Sequence, residues 1–493
     1  MIRPSLKLMA CLASLALAGA ISQAQTKTSE AAKPAAPPPS GFEEFVTQAK
    51  NPTDWLTWGA DLRVRDEYYV NSVTLTKSDP GNRNEQNVIR MRSRVWASAT
   101  PLTNVSFNAR LSAEPRDWTK PSFVGAYAGQ TGMEWRYGIL DNLNVKMNNM
   151  FDQPLSVTAG RQDIAFGDYW NWWLVADGTP GDGSWSFFLD SARVTYEVKE
   201  IKTKLDLVYI YQDARPDEFF SMNLPTLDKP INNGVPYNLT EQNERGVIVY
   251  ASTKAVKDTT LDGYFIYKKD DREFANGDNA DIYTLGARFT GLYADHWQPS
   301  LEGAYQFGTK EDTILGTFAE RDLSAWGLNA KLGYLFKDQL NNQVSLIYEY
   351  LSGDDPDTGN DEMFDILWGR WPRWSELYIY SYIYETGGKI AQMNNVQRLG
   401  ASWSFNPIKG MTVSAMYNAL FAPQEVPTRR IAPAAGSFSY DGNFRGHYLQ
   451  AILKHQFNKH ISAHLWAEFV WEGDYYAQRD TMMFLRPEVM FTF

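Results

Sequence analysis

The stretch that decides the fold is Met483-Phe-Leu-Arg-Pro-Glu-Val-Met-Phe-Thr-Phe493, in which apolar residues recur at every second position. Side chains of a β-strand point alternately to opposite faces, so this segment predicts a strand with one apolar and one mostly polar face. Two structures are compatible with it. It is either the edge strand of a soluble β-sandwich or the closing strand of a barrel, which pairs with the first strand and leaves no free edge.

Arginines near the start of the pattern fix which face of each strand points inward. Between Ile89 and Ala99 most alternate residues are apolar, and Arg90, Arg92 and Arg94 occupy intervening positions. An arginine on the lipid face at the bilayer midplane costs about 2–4 kcal/mol, and a shift of one residue would place all of these there. The pattern therefore predicts apolar residues facing outward and arginines facing inward.

The same alternation recurs from Trp55 to Phe493 in segments of about ten residues and predicts about 18 strands. Short breaks alternate with long ones, and the longest lie at 214–244, 353–396 and 421–445. An even strand number, with short turns on one side and long loops on the other, is typical of an outer-membrane barrel. A propeller would instead repeat a motif in blades of about forty residues. The predicted fold class is therefore all-β, an antiparallel transmembrane β-barrel with short periplasmic turns and long extracellular loops.

The chain is predicted to have three parts. Residues 1–24 carry two basic residues, an apolar segment and a small-residue cleavage site, which together indicate a signal peptide. Residues 25–54 form an Ala/Pro-rich tether with a possible short helix at 42–50, and residues 55–493 form the barrel. The single cysteine, Cys11, lies in the signal peptide, which argues against a disulfide scaffold.

Composition narrows the class of protein. A formal net charge of -11 disfavours nucleic acid as a partner. Aromatic residues make up 14% of the chain, as expected for a barrel with aromatic girdles, although soluble carbohydrate binders share this composition. After Ala24 no window approaches the roughly 18–20 apolar residues of a spanning helix.

Several segments resemble the alginate-export porin family. The resemblance rests on Arg94-Val-Trp-Ala97, Gly160-Arg-Gln162, Leu351-Ser-Gly-Asp-Asp-Pro356, Leu367-Trp-Gly-Arg-Trp-Pro-Arg-Trp374 and Gly473-Asp-Tyr-Tyr476. It implies a barrel of 18 strands with an electropositive lumen that passes an anionic polysaccharide without an energy source. Asp163 stands where the alginate exporter has a basic residue, and the acidic and aromatic loop at 353–396 also differs. Fold and channel character therefore carry over, whereas alginate as the substrate does not.

A set of basic residues is predicted to line the pore, because arginine forks bind carboxylates and a ring of them selects anions. The set comprises Arg63, Arg65, Arg90, Arg92, Arg94, Arg110, Arg161, Arg193, Arg288, Lys331 and Arg398. The alternative is that wall arginines pair with inward acids such as Asp61, Glu67 and Glu114. We single out the triplet Arg90, Arg92 and Arg94 because few acids lie near it in sequence.

The segment 353–396 holds two further candidate sites. Trp368, Trp371 and Trp374 could stack on sugar rings at the mouth or pack the loop as a constriction. The oxygen ligands of Asp354–Glu362 resemble a calcium loop, but the EF-hand register is missing and a solvated acidic loop is the better interpretation. We predict no metal and no cofactor.

Enzymatic chemistry is the rival class. An outer-membrane lipase would need Ser and His on the outer wall, whereas His464 falls on the inward face, close to Ser462 and Glu468. Placement on one face of one strand does not make a catalytic triad. We therefore predict that the protein is not an enzyme.

The sequence thus predicts a channel in the Gram-negative outer membrane, with both termini in the periplasm. Its hypothesised function is passive diffusion of anionic poly- or oligosaccharides, and the alternative is a general or neutral-sugar uptake porin. Expected partners are outer-membrane lipid, an anionic saccharide and, through the strand ending at Phe493, the barrel-assembly machinery.

Overall fold

The computed structural model describes residues 41–78, 83–123, 128–135, 138–166, 188–215, 239–312, 319–369, 374–385, 393–425 and 437–493. In these residues it contains two α-helices, α1 (Gly41–Lys50) and α2 (Leu377–Glu385), and twenty strands. The strands are β1 (Leu56–Val70), β2 (Glu85–Leu102), β3 (Val105–Ala113), β4 (Arg116–Trp118), β5 (Gly132–Glu134), β6 (Ile139–Met147), β7 (Leu155–Gln162), β8 (Leu189–Val198), β9 (Thr203–Gln212), β10 (Gln242–Thr253), β11 (Thr259–Arg272), β12 (Ala280–Gly291), β13 (Trp297–Asp312), β14 (Ala319–Leu335), β15 (Gln343–Leu351), β16 (Val396–Phe405), β17 (Met411–Phe421), β18 (Phe444–Gln456), β19 (Ile461–Glu472) and β20 (Thr481–Thr492).

The strands close into a barrel through the segment that decides the fold. β20 pairs antiparallel with β19 and also with β1, where Phe491 lies opposite Leu62 and Met483 lies opposite Val70. Two short strands, β4 and β5, form a hairpin that extends β2, and β3 pairs directly with β6. The remaining strands make a closed antiparallel wall of 18 strands, which confirms the predicted fold class.

Short and long connections alternate around the barrel as predicted. The short ones include residues 103–104, 199–202, 254–258 and 457–460, while the long ones include those that connect β7 to β8, β9 to β10, β15 to β16 and β17 to β18. Asn104 and Asp258 adopt left-handed backbone conformations at two short turns, with φ of 64° and 54°. Asn and Asp tolerate this conformation better than other non-glycine residues, which explains their place in the turns.

The facing of the strands also follows the arginine pattern. Arg63 and Arg65 of β1 are buried within the lumen wall. Leu62, which precedes Arg63 in the same strand, is exposed on the outer surface. On β2, Arg90 is buried and Val95 is exposed. The outer surface is therefore apolar and the inner surface charged, as a membrane barrel requires.

Pro487 corrects one sequence-based expectation. A proline cannot donate to a ladder, so its presence in the sequence of the last strand predicts a bulge or a position near the outer rim. It lies instead in the middle of β20, opposite Leu465, and the register with β1 is the same on both sides of it. The β1–β20 ladder is simply interrupted at Asp66 and Glu67, so the missing N–H removes pairing without shifting the strands.

The helix α1 lies at the rim formed by the short turns. It is longer than the single helical turn that the sequence suggested. Trp58 Nε1 donates a hydrogen bond of 2.6 Å to the Ala49 carbonyl, and Glu43 forms an ion pair with Lys459. Residues 1–40, which hold the predicted signal peptide and most of the predicted tether, lie outside the described residues.

Candidate functional site: a charged lumen crossed by a loop

Arginines and carboxylates form a buried network on the wall of β1 and β2. The antiparallel register places Arg65 opposite Arg90, and like charges facing each other destabilise a sheet unless acids intervene. Glu67 Oε1 lies 2.9 Å from Arg65 Nε, and Glu67 Oε2 lies 2.9 Å from Arg90 Nη1. Glu114 Oε2 lies 2.9 Å from Arg63 Nη2. The two glutamates thus hold three guanidinium groups together within the wall.

The predicted triplet of β2 is divided by its exposure. Arg90 is 4% and Arg92 is 6% exposed, while the side chain of Arg94 is 25% exposed. Arg92 Nη2 lies 3.8 Å from Asp61 Oδ1, and Arg94 Nε donates to Asp61 Oδ2 at 2.8 Å. The triplet was singled out for a scarcity of acids, and that reason is wrong, because β1 and the segment after β3 supply them across the wall.

The other predicted arginines are also paired with carboxylates of the wall. The nitrogen-to-oxygen distances are 2.7 Å for Arg110–Asp141, 2.9 Å for Arg161–Asp190, 2.8 Å for Arg193–Asp206, 3.0 Å for Arg288–Asp262 and 2.6 Å for Arg398–Glu349. A paired guanidinium keeps further N–H groups, so its role toward a solute depends on its exposure. Lys331, on β14, lines one of the cavities described below.

The long connection between β15 and β16, residues 352–395, is named here the lumen loop, and its described parts, 352–369, 374–385 and 393–395, lie inside the barrel. Its first anchor is on β13, where Asp365 N donates to Gln306 Oε1 at 2.8 Å and Gln306 Nε2 donates to the Asp365 carbonyl at 2.7 Å. The Asp365 carboxylate lies 3.4 Å from Lys310 Nζ and 3.9 Å from Lys268 Nζ. Paired amide bonds and two ammonium groups therefore fix this part of the loop to the wall.

Trp368 forms the second anchor. Its side chain is fully buried, and Lys268 Nζ lies 5.8 Å from the ring centroid. The ring occupies the space beside Gly246 of β10, where an added Cβ would lie 2.4 Å from a ring atom. A glycine in this strand is therefore required for the close approach of the tryptophan.

The wall caps the N-terminus of α2, which belongs to the lumen loop. Glu468 of β19 accepts hydrogen bonds from Glu376 N at 2.9 Å, from Leu377 N at 3.0 Å and from Ser375 Oγ at 2.6 Å. The first N–H groups of a helix have no partner within it, and a carboxylate there also interacts favourably with the helix dipole. One barrel glutamate thus satisfies the helix end and fixes its position inside the lumen.

The far end of α2 is held by a buried ion pair. Arg445 Nη1 lies 2.9 Å from Glu385 Oε2, and Arg445 Nη2 lies 2.7 Å from Glu385 Oε1. Between the two ends, Tyr380 donates to Glu67 Oε2 at 3.1 Å and stacks on Tyr69 at 4.4 Å between ring centroids. The lumen loop therefore contacts β10, β11 and β13 on one side and β18, β19 and β1 on the other, so it crosses the lumen.

The predicted loop aromatics pack against the wall. Trp374 and Trp368 are buried, and Trp374 meets Tyr448 edge to face at 5.1 Å. The guanidinium of Arg398 lies 4.8 Å from the Trp374 ring. Trp371 lies outside the described residues. This geometry favours the packing role over an open sugar-stacking surface for the two tryptophans that are described.

A cavity of about 600 Å³ lies beside β2–β9, on the side of the short turns, and is named the β2–β9 cavity. Five basic side chains and two acidic ones are among its lining residues, namely Arg94, Arg110, Lys146, Arg193, Lys204, Asp163 and Glu197. The carboxylates that pair with Arg94 and Arg193 are nearly inaccessible, at 4% for Asp61 and 3% for Asp206. Asp61 and Asp206 therefore stand behind Arg94 and Arg193 and hold them at the solvent surface. Asp163, which pairs with Arg110 at 2.8 Å, is 30% exposed and belongs to the cavity lining itself.

A second cavity of about 390 Å³, the β14–β18 cavity, lies on another part of the wall below Trp374. Lys331, Arg398 and Lys454 are the charged residues among those that line it in the described part of the chain. Basic side chains thus outnumber acidic ones in each of these two cavities. Of the predicted pore-lining residues, the structure brings Arg94, Arg110, Arg193, Lys331 and Arg398 to these cavities.

The acidic segment of the lumen loop folds around an arginine. Asp354 is buried and its two oxygens lie 3.0 and 3.1 Å from Arg321 Nη1 and Nη2. Arg321 Nε also donates to the Gly359 carbonyl at 3.0 Å. No group of three or more His, Cys, Asp or Glu side chains able to hold a metal occurs among the described residues. A guanidinium, rather than open solvent alone, thus organises this segment.

Asp354 is expected to make the fold of this segment depend on pH. Burial, together with the nearby carboxylate of Asp361, raises the pKa of Asp354 to about 6. A carboxyl whose pKa is raised in the folded state stabilises the fold while it is protonated, and this contribution is lost as the pH rises through the folded pKa. A nitroxide at Gly359→Cys should therefore be more mobile at about pH 8 than at about pH 5 in electron paramagnetic resonance spectra.

The labelled position suits this measurement because a Cβ at Gly359 meets open space. The matched control adds Asp354→Asn, which keeps the shape of the side chain and removes its titration. The control should show the same mobility at both pH values. A pH response of equal size in the control would refute the role of Asp354.

Several residues of this site were missed by the sequence analysis. Lys268, Lys310, Arg445 and Arg486 anchor the lumen loop, for example through an Arg486 Nη1 to Glu376 Oε2 distance of 3.0 Å. Arg445 was assigned to a loop because β18 begins two residues earlier than its alternation indicated. Arg486 was visible on the polar face of the last strand, but its partner in the lumen loop was not.

A closed antiparallel barrel with an apolar outside, a charged lumen and a loop across that lumen defines a porin-like channel of the outer membrane. Among the described residues, neither helix is long and apolar enough to cross a membrane. The chain belongs to the alginate export family, whose sequence model matches residues 237–484. The suspected family is thereby confirmed, and the motifs at 351–356, 367–374 and 473–476 fall within the matched residues.

Solved structures support the fold. OccAB1 of Acinetobacter baumannii aligns with a TM-score of 0.52 at 10% identity, covering 88% of this chain and 96% of that one. OprD of Pseudomonas aeruginosa aligns with a TM-score of 0.50 at 10% identity, covering 88% and 95%. At such identity the likeness concerns the fold alone. No curated protein matches the sequence.

Proposed function

We propose that this outer-membrane channel passes anionic poly- or oligosaccharides by passive diffusion. The observation that carries the proposal is the lining of the two lumen cavities, where basic side chains outnumber acidic ones although the chain as a whole is acidic. Uronate carboxylates match the guanidinium donors of Arg94 and Arg193, and the charge of Arg110 adds to the same basic lining. The buried acids Asp61 and Asp206 orient Arg94 and Arg193 toward the solute.

Orientation and assembly complete the proposal. The short turns and both termini lie in the periplasm, and the strand ending at Phe493 is recognised by the barrel-assembly machinery. Outer-membrane lipid covers the apolar wall. The protein performs no covalent chemistry, and His464, the histidine considered for catalysis, is engaged with Glu488 at 3.6 Å and with Arg486 at 3.1 Å.

A second candidate, a general or neutral-sugar uptake porin, is favoured by the lumen loop. A helix anchored across the lumen narrows the channel, which suits the passage of small solutes better than the passage of a polysaccharide.

Current blockade in planar bilayers separates the two candidates. Uronate oligosaccharides and neutral malto-oligosaccharides of equal length are added to the purified channel, and the concentration for half-blockade is measured for each. We expect uronates to block at a concentration at least about tenfold lower, since opposite charges attract across the basic lining. Stronger blockade by the neutral series would favour the second candidate, and sulfated oligosaccharides would show whether charge alone suffices.

A further inference from the structure

The helix α1 is attached to the outward side of the barrel rather than to its lumen. Trp58 has the same outward facing as Leu62 on β1, and its indole N–H donates to the Ala49 carbonyl at 2.6 Å. The Trp58 ring also packs on Phe493 with a centroid distance of 5.2 Å. The last turn of α1 is thus held against the lipid-facing surface at the seam where the barrel closes.

The other end of α1 is fixed to the β18–β19 turn. Glu43 forms an ion pair with Lys459, and its Oε1 lies 3.3 Å from His460 Nε2. Phe42 meets the His460 ring edge to face at 6.0 Å between centroids. Contacts at both ends therefore define how the helix is rotated on the rim.

This rotation leaves apolar side chains without cover. Phe42 is 63% and Phe45 is 62% exposed, and with Ala49 they occupy one face at helical spacing. Glu44 and Thr47 lie on the opposite face and are also exposed. Two largely exposed phenylalanines on a ten-residue helix need a partner that removes them from water.

The same rim carries a belt of exposed apolar residues that continues the face of α1. They lie at or beside most of the short turns and comprise Leu102, Phe151, Ile201, Val256, Trp297, Phe336, Leu340 and Phe457. Aromatic and apolar side chains in this position mark the interface between the hydrocarbon band and the lipid headgroups of a membrane barrel. The partner that fits the exposed face of α1 is therefore the surface that this belt already meets.

We propose that α1 is an interfacial helix, whose Phe42 and Phe45 insert into the phospholipid leaflet on the short-turn side. Its charged residue Glu43 stays tied to the wall, while Glu44 and Thr47 face water. The helix thereby covers the seam between β20 and β1 with lipid-embedded aromatic rings. This assignment does not depend on which solute the channel passes.

Site-directed spin labelling tests the assignment. The chain has one cysteine, so a Cys11→Ser background allows a single nitroxide at Phe45→Cys and, as the matched control, at Thr47→Cys. The two positions are about 160° apart on the helix, since an α-helix turns 3.6 residues per revolution. The folded full-length protein is reconstituted in phosphatidylethanolamine–phosphatidylglycerol vesicles, and collisions with oxygen and with a water-soluble nickel chelate are measured.

We expect the ratio of oxygen to nickel collisions to be at least about fivefold higher at position 45 than at position 47, because oxygen concentrates in lipid and the chelate does not enter it. Equal ratios at the two positions would overturn the proposal, because both faces would then be in water. Low accessibility to both reagents with spin–spin broadening at position 45 would also overturn it, since a second copy of the chain would then cover the helix. A second pair, Phe42→Cys and Glu44→Cys, keeps Phe45 and should show the same contrast.

Discussion

Replacing residues 353–394 with a short Gly-Ser linker is expected to raise the single-channel conductance at least about threefold, because eighteen strands enclose an aqueous channel once no loop fills it. The deletion is geometrically mild. Leu351 and Val396 are directly paired at the end of the β15–β16 ladder, so a turn of a few residues can join the two strands. Planar bilayers in 1 M KCl would report the change.

The size of this effect follows from how the lumen loop is anchored. Asp365 is fixed on β13, Trp368 fills the space beside Gly246, Glu468 caps α2 and Arg445 pairs with Glu385. These contacts lie on opposite sides of the barrel, so the loop obstructs the lumen rather than lining one wall. Removing it opens the full cross-section.

A point variant provides the matched control for the deletion. Glu468→Ala keeps the loop and removes the acceptor for Ser375 Oγ and for the N–H groups of Glu376 and Leu377. Loss of a charged helix cap costs about 1–2 kcal/mol, so this variant should show brief openings toward the conductance of the deletion. An unchanged conductance in the deletion, with heat-modifiable migration confirming a folded barrel, would refute the obstruction.

The wall of this protein could be predicted because a strand has only two faces. A shift of one residue would place Arg90, Arg92 and Arg94 on the lipid face. The free-energy cost of burying arginine in lipid therefore determines from sequence alone which face of β2 points inward. The same alternation of outward apolar and inward polar residues recurs in the other strands, so the number of strands and the closure of the barrel could also be predicted from sequence. Pro487 escaped the prediction because a strand paired on both sides can lose part of one ladder while β19 keeps its register.

The site was less predictable because its partners are far apart in the chain. Ser375 and Glu468 meet across 93 residues, and Arg445 meets Glu385 across 60. Nothing in the alternation of a strand encodes which loop enters the lumen. The fully buried Trp368 shows the difficulty, since its aromatic character suited a sugar platform and a packed anchor equally well.

Changing Arg94, Arg110 and Arg193 together to Gln is expected to reduce the anion-to-cation permeability ratio by about tenfold or more, which corresponds to about 1.4 kcal/mol. These arginines line the β2–β9 cavity, and their acids stay in place when they are removed. The cavity wall would then change from basic to acidic. Reversal potentials across a KCl gradient would measure the ratio.

The matched control removes the same number of charges outside the lumen. Lys257, Lys337 and Lys409 lie exposed on short turns, and their change to Gln alters the net charge of the protein equally. Surface charges farther from the permeating ion than the Debye length, about 10 Å at 0.1 M salt, act weakly, so the control should shift the reversal potential little. Equal shifts of the reversal potential in the two variants would assign the ion selectivity to the overall charge of the protein. A shift confined to the arginine variant assigns the selectivity to the arginines that line the β2–β9 cavity.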